Sequence, residues 1–171
     1  MLQTIFSADF FAAILRATTP ILFATLAAAV AAKCGIINMA LEGMMLFSAL
    51  FGVIFSSMTQ SWLAGLLITM VLGGLIGLIL AFFVLNLKTD EILAAIAINL
   101  VATGGTVLLM LAYSGDRGTS TSIQSVPAPA LHIPFLQDIP VLGDLLSGHN
   151  LLVYLALIAV VVIHLFLYKT P

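Results

Sequence analysis

The sequence predicts an all-α protein of the polytopic membrane class, a helical bundle of about five transmembrane helices with one long external loop. Hydrophobic residues make up 63% of the 171 residues, charged residues make up 7%, and the mean hydropathy is +1.27. Soluble domains average about 45–50% apolar and about 25% charged residues. The apolar runs are also unbroken, as in residues 66–72, whereas the strands of a membrane β-barrel alternate apolar and polar residues. Composition and pattern therefore both favour helices in lipid.

Five apolar segments are long enough to cross a bilayer as helices. A hydrocarbon core of about 30 Å needs about 20 apolar residues at a rise of about 1.5 Å each. The segments of this length are residues 10–32, 36–58, 62–87, 92–113 and 151–168. No basic region precedes the first segment, so we expect it to be retained as an anchor and not cleaved as a signal peptide. Together the segments form one membrane-spanning domain over residues 1–171, which we expect to be incomplete at its C-terminus because the sequence stops directly after a span.

The segment 114–150 is predicted to be an external loop. It begins with small polar residues and then contains four prolines, which exclude a long helix. Its apolar residues between positions 131 and 142 predict a cap on the membrane face, with short helical turns near residues 141–146. His132 and His149 fall in this loop, and we expect both to be solvated.

The positions of lysine residues predict the orientation of the chain. If five helices alternate in direction, Lys33, Lys88 and Lys169 fall on one side and the long loop falls on the other with the N-terminus. Lysine and arginine are enriched in cytoplasmic loops. We therefore expect the N-terminus outside a cytoplasmic (plasma) membrane and Pro171 inside, although Arg16 is a charge on the opposite side.

Residues 35–45, at the start of the second span, combine polar side chains with glycines. Amide and ionisable side chains at membrane depth are costly and usually face a bundle interior or a cavity. In a structural interpretation, Asn38 is the N-cap of the helix and Glu42 interacts with the positive end of the helix dipole. In a functional interpretation, a helix interrupted at membrane depth exposes N–H groups to a cavity, as in transporters. The two interpretations are compatible, and Asn38 and Glu42 are candidates for a translocation path or substrate-binding site.

The fourth span carries two further polar side chains, Asn99 and Thr103, which lie one turn apart on one face. An amide in a membrane bundle commonly bonds to a neighbouring helix. The alternative is that Asn99 and Thr103 line the path, so both are candidates for that site. Residues 89–91 are expected to cap the start of the same helix.

Three glycines of the third span, Gly73, Gly74 and Gly77, are predicted to serve helix packing. Small residues four positions apart allow two membrane helices to approach closely. This explanation needs no functional role for these glycines.

Other functions are disfavoured by what the sequence lacks. The net charge is −2 and no basic run occurs, so nucleic-acid binding has no electrostatic basis. The single cysteine, Cys34, cannot form an internal disulfide. No phosphate-binding loop, nucleophile–base–acid set or metal-ligand cluster is present, so we expect neither catalysis nor a cofactor or metal bound by this chain.

Several segments resemble one transporter family. They are Thr-Pro-Ile-Leu-Phe-Ala at residues 19–24, Lys-Cys-Gly-Ile-Ile-Asn-Met-Ala-Leu-Glu-Gly-Met-Met at residues 33–45, and Glu-Ile-Leu through Asn at residues 91–99. These are similar to permease subunits of sugar/nucleoside-type ABC importers, a family that includes branched-chain amino acid and ribose permeases. The Asn-x-x-Leu-Glu-Gly pattern resembles the nucleoside-like branch. The loop from 116 to 140 is also similar in length and style to that of nucleoside-type members.

The resemblance implies a function, partners and a mechanism. The expected function is import of nucleosides or related sugar-like solutes across the plasma membrane of a prokaryote. The implied partners are a second permease subunit, identical or homologous, a cytoplasmic ATP-binding cassette ATPase that binds the ATP, and an external solute-binding lipoprotein. Family members are roughly twice this length, so the chain is expected to be their N-terminal part. ATP binding would close the ATPases and tilt the permease halves between outward- and inward-open states.

Two other functions stay open from the residues themselves. One is half of a secondary transporter, for which Glu42 is the only intramembrane acidic candidate for ion coupling. The other is a non-transporting membrane scaffold, in which the polar side chains within the spans serve packing alone.

Overall fold

The computed structural model describes residues 8–115, 119, 122–131 and 148–169, and in this part of the chain five long helices dominate. All five are long and apolar enough to cross a membrane, which confirms the predicted fold class. They are α1 (Ala8–Lys33), α2 (Leu41–Thr59), α3 (Trp62–Ala81), α4 (Glu91–Ser114) and α5 (Leu151–Lys169). A π-helical segment, Phe82–Asn86, extends α3.

Helix α2 begins five residues after the start of the span predicted at 36–58. Gly35 has a φ of +79°, in the left-handed region, and the residues after it up to Ala40 are not helical. The chain is therefore interrupted by a non-helical segment, residues 34–40, between α1 and α2. The prediction of short helical turns near residues 141–146 lies outside the described residues, as does His132.

Helices α1 and α5 belong to one compact unit, which comprises residues 1–33 and 128–171. Two short antiparallel strands, β1 (Ala130–Leu131) and β2 (His149–Asn150), pair within this unit, and β2 leads directly into α5. At the opposite end of α5 the Nζ atom of Lys33 lies 4.5 Å from the centre of the Tyr168 ring. Such contacts let a lysine stem lie on apolar surface while its charge stays near an aromatic face.

His149 differs from the expectation of a solvated loop residue, because only 1% of its surface is exposed. Its Nδ1 atom accepts a hydrogen bond of 3.4 Å from Nε of Arg16, and its ring meets Tyr154 edge to face. Pairing of β2 with β1 holds the histidine against α1 and α5. The expectation of a solvated His149 was wrong because position in a polar loop does not reveal strand pairing.

Helices α2, α3 and α4 belong to the second unit, residues 34–127. Its core is built from small and medium apolar residues: Ala40, Leu80, Ala94 and Ala95 are buried, and Met44, Val84 and Ile98 pack against them. The non-helical segment before α2 is therefore held between the end of α3 and the start of α4. Large apolar side chains elsewhere in this unit, such as Leu78 and Leu100, are about two-thirds exposed (67% and 69%), as expected where lipid is the solvent.

Candidate functional site

The side chain of Asn99, on α4, forms hydrogen bonds with the backbone of the first turn of α2 and of the non-helical segment before it. Its Oδ1 atom accepts a hydrogen bond of 2.8 Å from the backbone N–H of Gly43, and its Nδ2 group donates one of 2.9 Å to the backbone carbonyl of Met39. One amide thus satisfies a donor inside the first turn of α2 and an acceptor in the segment before it. Backbone groups that lack partners in lipid cost several kcal/mol each, and this bridge supplies a partner to one such donor and one such acceptor.

Asn38 lies just before α2, but it is not the N-cap residue that the sequence predicts. The N-cap is Ala40, whose side chain cannot accept a hydrogen bond. Asn38 Oδ1 accepts instead from the backbone N–H of Ala40 at 3.1 Å, which closes a tight turn before the helix. The N-cap assignment was wrong because the turn shifts the start of the helix beyond residue 38, and Asn99 serves the first turn in place of a local cap.

Gly43 is the point where α2 and α4 approach most closely in this site. A Cβ atom at this position would lie 2.8 Å from Oδ1 of Asn99 and 3.1 Å from Cβ of Ala102. Real Cβ atoms essentially never come within 3.0 Å of another heavy atom, so only glycine fits here without a shift. The Asn99 bridge therefore depends on a glycine beside Glu42.

Glu42 lies in the first turn of α2 and is exposed. Within the described residues its carboxylate has neither an ion pair nor a hydrogen bond. The N-terminal end of a helix stabilises a nearby negative charge, so this position suits a carboxylate. An ionised carboxylate is costly in the hydrocarbon of a bilayer, so we expect water or a partner protein around this side chain, and not lipid.

A groove of about 280 Å³ runs between α2 and α4. Thr103 lines it one turn after Asn99, and Leu46 lines it one turn after Glu42. The Thr103 hydroxyl donates to the carbonyl of Asn99 at 2.8 Å, and Thr106, which also lines the groove, bonds to the carbonyl of Ala102 at 2.7 Å. Glu42 and Asn99 thus each lie one turn before the groove, at its end nearest the starts of α2 and α4. The α4 side of the groove carries two hydroxyl groups.

The four candidate path residues are therefore brought to one region of the α2–α4 pair, with different contacts. Asn99 and Asn38 bond to backbone atoms, Thr103 lines the groove, and Glu42 is exposed beside it. Thr106 was not singled out from the sequence, although its spacing of three residues from Thr103 places it on the same helix face.

The three glycines of α3 lie in different environments. A Cβ at Gly73 would meet Oγ of Ser48 at 3.8 Å, a Cβ at Gly77 would meet the end of the Met44 side chain at 4.0 Å, and one at Gly74 would meet nothing within 4 Å. The tightest contacts between α2 and α3 occur elsewhere. A Cβ at Gly52 would lie 2.5 Å from Thr69, and one at Gly65 would lie 2.8 Å from the Gly52 carbonyl oxygen.

The close contacts between α2 and α3 at Gly52 and Gly65 were not predicted, but they follow a spacing that is visible in the sequence. Small residues recur every four positions on α2 at Ser48, Gly52 and Ser56, and on α3 at Gly65, Thr69, Gly73 and Gly77. This small-xxx-small pattern on both helices is the signal that identifies the paired faces.

Comparison with known proteins finds three relatives that are all named as ABC transporter permeases. A protein named as a candidate glucose ABC transporter permease, TsgC13 of Haloferax volcanii, is 28% identical over 167 residues, which cover 96% of this chain and 49% of that protein. The guanosine ABC transporter permease protein NupQ of Bacillus subtilis is 30% identical over 162 residues, covering 89% of this chain and 49% of NupQ. The nucleoside ABC transporter permease protein NupC of Lactococcus lactis is 27% identical over 162 residues, covering 90% of this chain and 50% of NupC.

The chain spans about half the length of the curated relatives that it matches. No solved structure gives a significant match. Residues 10–171 match the family described as the branched-chain amino acid transport system permease component, a range that contains the whole α2–α4 site. The chain belongs to this family of ABC transporter permeases.

Proposed function

We propose that the chain forms part of the membrane-spanning permease subunit of an ABC importer that carries nucleosides or related sugar-like solutes across the plasma membrane. The observation that carries this proposal is the start of α2, which follows the non-helical segment 34–40 and leaves the Glu42 carboxylate exposed one turn from a groove. An exposed carboxylate near a groove suits a water-filled path, which requires polar groups, better than a scaffold in which polar side chains serve packing alone. The names of the relatives support the solute class.

The proposal includes three partners, which membership of the ABC permease family implies. A separate cytoplasmic ATPase binds ATP and supplies the energy, in keeping with the lack of a phosphate-binding loop in these 171 residues. A second permease subunit, identical or homologous, completes the path, and an external solute-binding lipoprotein delivers the solute. ATP binding closes the ATPase pair and tilts the permease halves between outward- and inward-open states. The chain lies in the membrane with its N-terminus outside and Pro171 inside.

Within this mechanism the candidate residues have separate roles. Asn99 and Asn38 position the interrupted segment through backbone hydrogen bonds. Glu42 and Thr103 face the path, where a carboxylate and a hydroxyl can exchange hydrogen bonds with the hydroxyl groups of a passing solute. Hydrogen bonds of this kind are weak and easily exchanged, so a bound solute can also be released from the path.

Water accessibility of the site tests the proposal directly. In the full-length protein with Cys34→Ala, single cysteines are introduced by Glu42→Cys and, as a matched control, by Leu100→Cys. Leu100 on α4 is also exposed, at 69%, but its side chain is expected to face lipid. We expect rapid labelling of the cysteine at position 42 by a water-soluble maleimide and slow labelling at position 100.

A transport measurement completes the test. Uptake of labelled guanosine, uridine and glucose is measured in cells that express the full-length protein with its ATPase and binding protein, and Glu42→Gln is compared with the unaltered protein. We expect at least about a tenfold loss of uptake at equal expression, corresponding to about 1.4 kcal/mol. A position 42 that is sealed from water in every nucleotide state, or full uptake by Glu42→Gln, would remove this carboxylate from the path.

A further inference from the structure

A second polar cavity lies beyond the groove, at the C-terminal ends of α2 and α4, and is named here the outer pocket. Its volume is about 490 Å³, within the range of about 300–1,000 Å³ typical of small-molecule sites. One apolar residue, Ile123, lines it together with six polar residues: Ser57, Gln60, Tyr113, Ser114, Ser122 and Gln124. None of these described lining residues carries a charge at neutral pH.

The wall of the outer pocket is fixed by one buried serine. Ser56 is 5% exposed, and its Oγ atom both donates to the carbonyl of Val126 and accepts from the N–H of Val126, each at 3.1 Å. This reciprocal pair fastens the extended chain around Val126 to the last turns of α2. Ser122 and Gln124, which line the pocket together with Ser57, lie four and two residues before Val126 in this chain segment.

The pocket offers hydrogen-bonding groups that the described part of the protein does not use. Among the described residues, the hydroxyl groups of Ser57 and Tyr113 and the amide of Gln124 have no hydrogen-bond partner. Gln60 donates from Nε2 to the carbonyl of Ser57 at 2.6 Å, which orients its amide and leaves Oε1 as an acceptor. Amides and hydroxyls together offer both donors and acceptors.

Tyr113 adds an aromatic surface to this polar wall. It is 49% exposed, lines the pocket and forms no ring contact with another described aromatic residue. Nucleobases and other flat rings stack on exposed aromatic side chains. The amide groups beside it match the donor and acceptor edges that nucleobases present.

The outer pocket continues the α2–α4 groove along both helices. Val53 and Met110 line the groove, and Ser57 and Ser114, four residues further along each helix, line the pocket. Residues four apart lie on the same helix face. A solute held in the pocket is therefore one helical turn from the groove that leads toward Glu42 and Asn99.

We infer that the outer pocket is a reception site for an uncharged solute with a flat ring and several hydrogen-bonding groups, the chemistry of a nucleoside. No charge is available among the described lining residues to pair with the phosphate of a nucleotide or the charged ends of an amino acid, which favours an uncharged solute. Tyr113 stacks on the base, while Gln124 and Ser57 bond to its edge and to the ribose hydroxyls. This inference rests on the proposed transport function.

Equilibrium binding tests the inference. The full-length permease, assembled with its ATPase in nanodiscs and without the binding protein, is titrated with labelled guanosine and, separately, with labelled glucose. We expect guanosine to bind and Tyr113→Leu and Gln124→Ala each to raise its Kd about tenfold, which equals about 1.4 kcal/mol. Tyr113→Phe retains the ring and is expected to raise the Kd by about threefold or less. Ser125→Ala, an exposed neighbour that does not line the pocket, serves as the matched control and should leave the Kd unchanged.

The outcomes separate the site from the transport function. The elution volume and the Tm of each complex, measured on the same samples, show whether that complex is folded. Equal guanosine affinity in all variants, or no guanosine binding by the unaltered complex, would overturn the reception site. Tighter binding of glucose than of guanosine, with the same response to the variants, would overturn the nucleoside class. Uptake of guanosine by the complete unaltered system alongside any of these results would leave the proposed transport function intact.

Discussion

Helices α2 and α4 begin at the same end of their unit, where Ala40 packs with Ala94 and Ala95, but their first turns are satisfied in different ways. In α4 the N-cap Asp90 accepts hydrogen bonds from the N–H groups of Ile92 and Leu93, at 2.9 and 3.1 Å. In α2 the N–H of Gly43 bonds to Asn99, which is 56 residues away in sequence. A cap built from neighbouring residues does not depend on the position of another helix. In α2, in contrast, the Gly43 N–H keeps its acceptor only while α4 is in place, so this part of the first turn can respond to a movement between helices.

Asn99→Leu is the change with the largest expected effect. It leaves the Met39 carbonyl and the Gly43 N–H without partners, and we expect the free energy of unfolding of the full-length protein in bicelles to fall by about 3 kcal/mol. Uptake should be lost as well. Thr103→Val is the control for stability, because the Thr103 hydroxyl bonds to the Asn99 carbonyl within the same helix, and this variant should change the free energy of unfolding little. Equal losses of stability in Asn99→Leu and Thr103→Val would contradict the bridging role of Asn99.

Gly43→Ala tests the same junction by steric means. The new Cβ would clash with Oδ1 of Asn99 and press on the α4 backbone, so we expect the free energy of unfolding to fall by about 2 kcal/mol. Gly104→Ala is matched to it, since a Cβ at Gly104 meets nothing within 4 Å and alanine favours the helix. A stable Gly43→Ala protein with normal uptake would show that α2 and α4 can separate at this point without consequence.

Asp90→Ala removes the local cap of α4. We expect a loss of about 1 kcal/mol in the free energy of unfolding, the typical contribution of an N-cap, and little change in uptake because the start of α2 is untouched. Asp90→Asn should restore stability, since asparagine is also a strong N-cap residue. Loss of uptake in Asp90→Ala comparable to that in Asn99→Leu would remove the distinction between the two helix starts.

Asn38→Ala has the smallest expected effect on stability. It deletes the bond to the Ala40 N–H, for which we expect about 0.5 kcal/mol, while Asn38→Asp keeps the acceptor and should be close to neutral. A measurement of uptake distinguishes the structural from the functional interpretation of Asn38. If uptake by Asn38→Ala falls further than its loss of stability explains, the Asn38 amide contacts the solute. If uptake and stability both fall only slightly, the role of Asn38 is limited to the turn.

The features that the sequence could predict are the local ones. Five spans follow from hydropathy and length, and the cap of α4 follows from three consecutive residues, Thr89–Glu91, as the structure confirms. The start of α2 was misplaced because Asn38 looks like an N-cap when only its neighbours in sequence are considered. Its helix begins later because Gly35 breaks the chain and Asn99 supplies the missing acceptor from another helix.

Contacts between distant residues account for what sequence reasoning missed. Neither the burial of His149 against Arg16 nor the double hydrogen bond between Ser56 and Val126 has a local signal, because each joins residues at least 70 positions apart. The paired faces of α2 and α3 are an intermediate case. Their four-residue spacing is visible in the sequence, but only the structure shows that Gly52 and Gly65 meet most closely and that Gly74 faces away.

The close contact at Gly43 also has a mechanical consequence. Because α2 and α4 touch there through a glycine, we expect this point to act as the fulcrum of a lever when the two helices tilt. Helix α4 extends fifteen residues from Asn99 to Ser114, which is about 22 Å at about 1.5 Å per residue. A rotation of about 5° around the fulcrum would displace the far end of that arm by about 2 Å while the Asn99 end barely moves. Small angular changes near the start of α2 would thus be converted into a change in width of about 2 Å where Tyr113 and Ser114 lie.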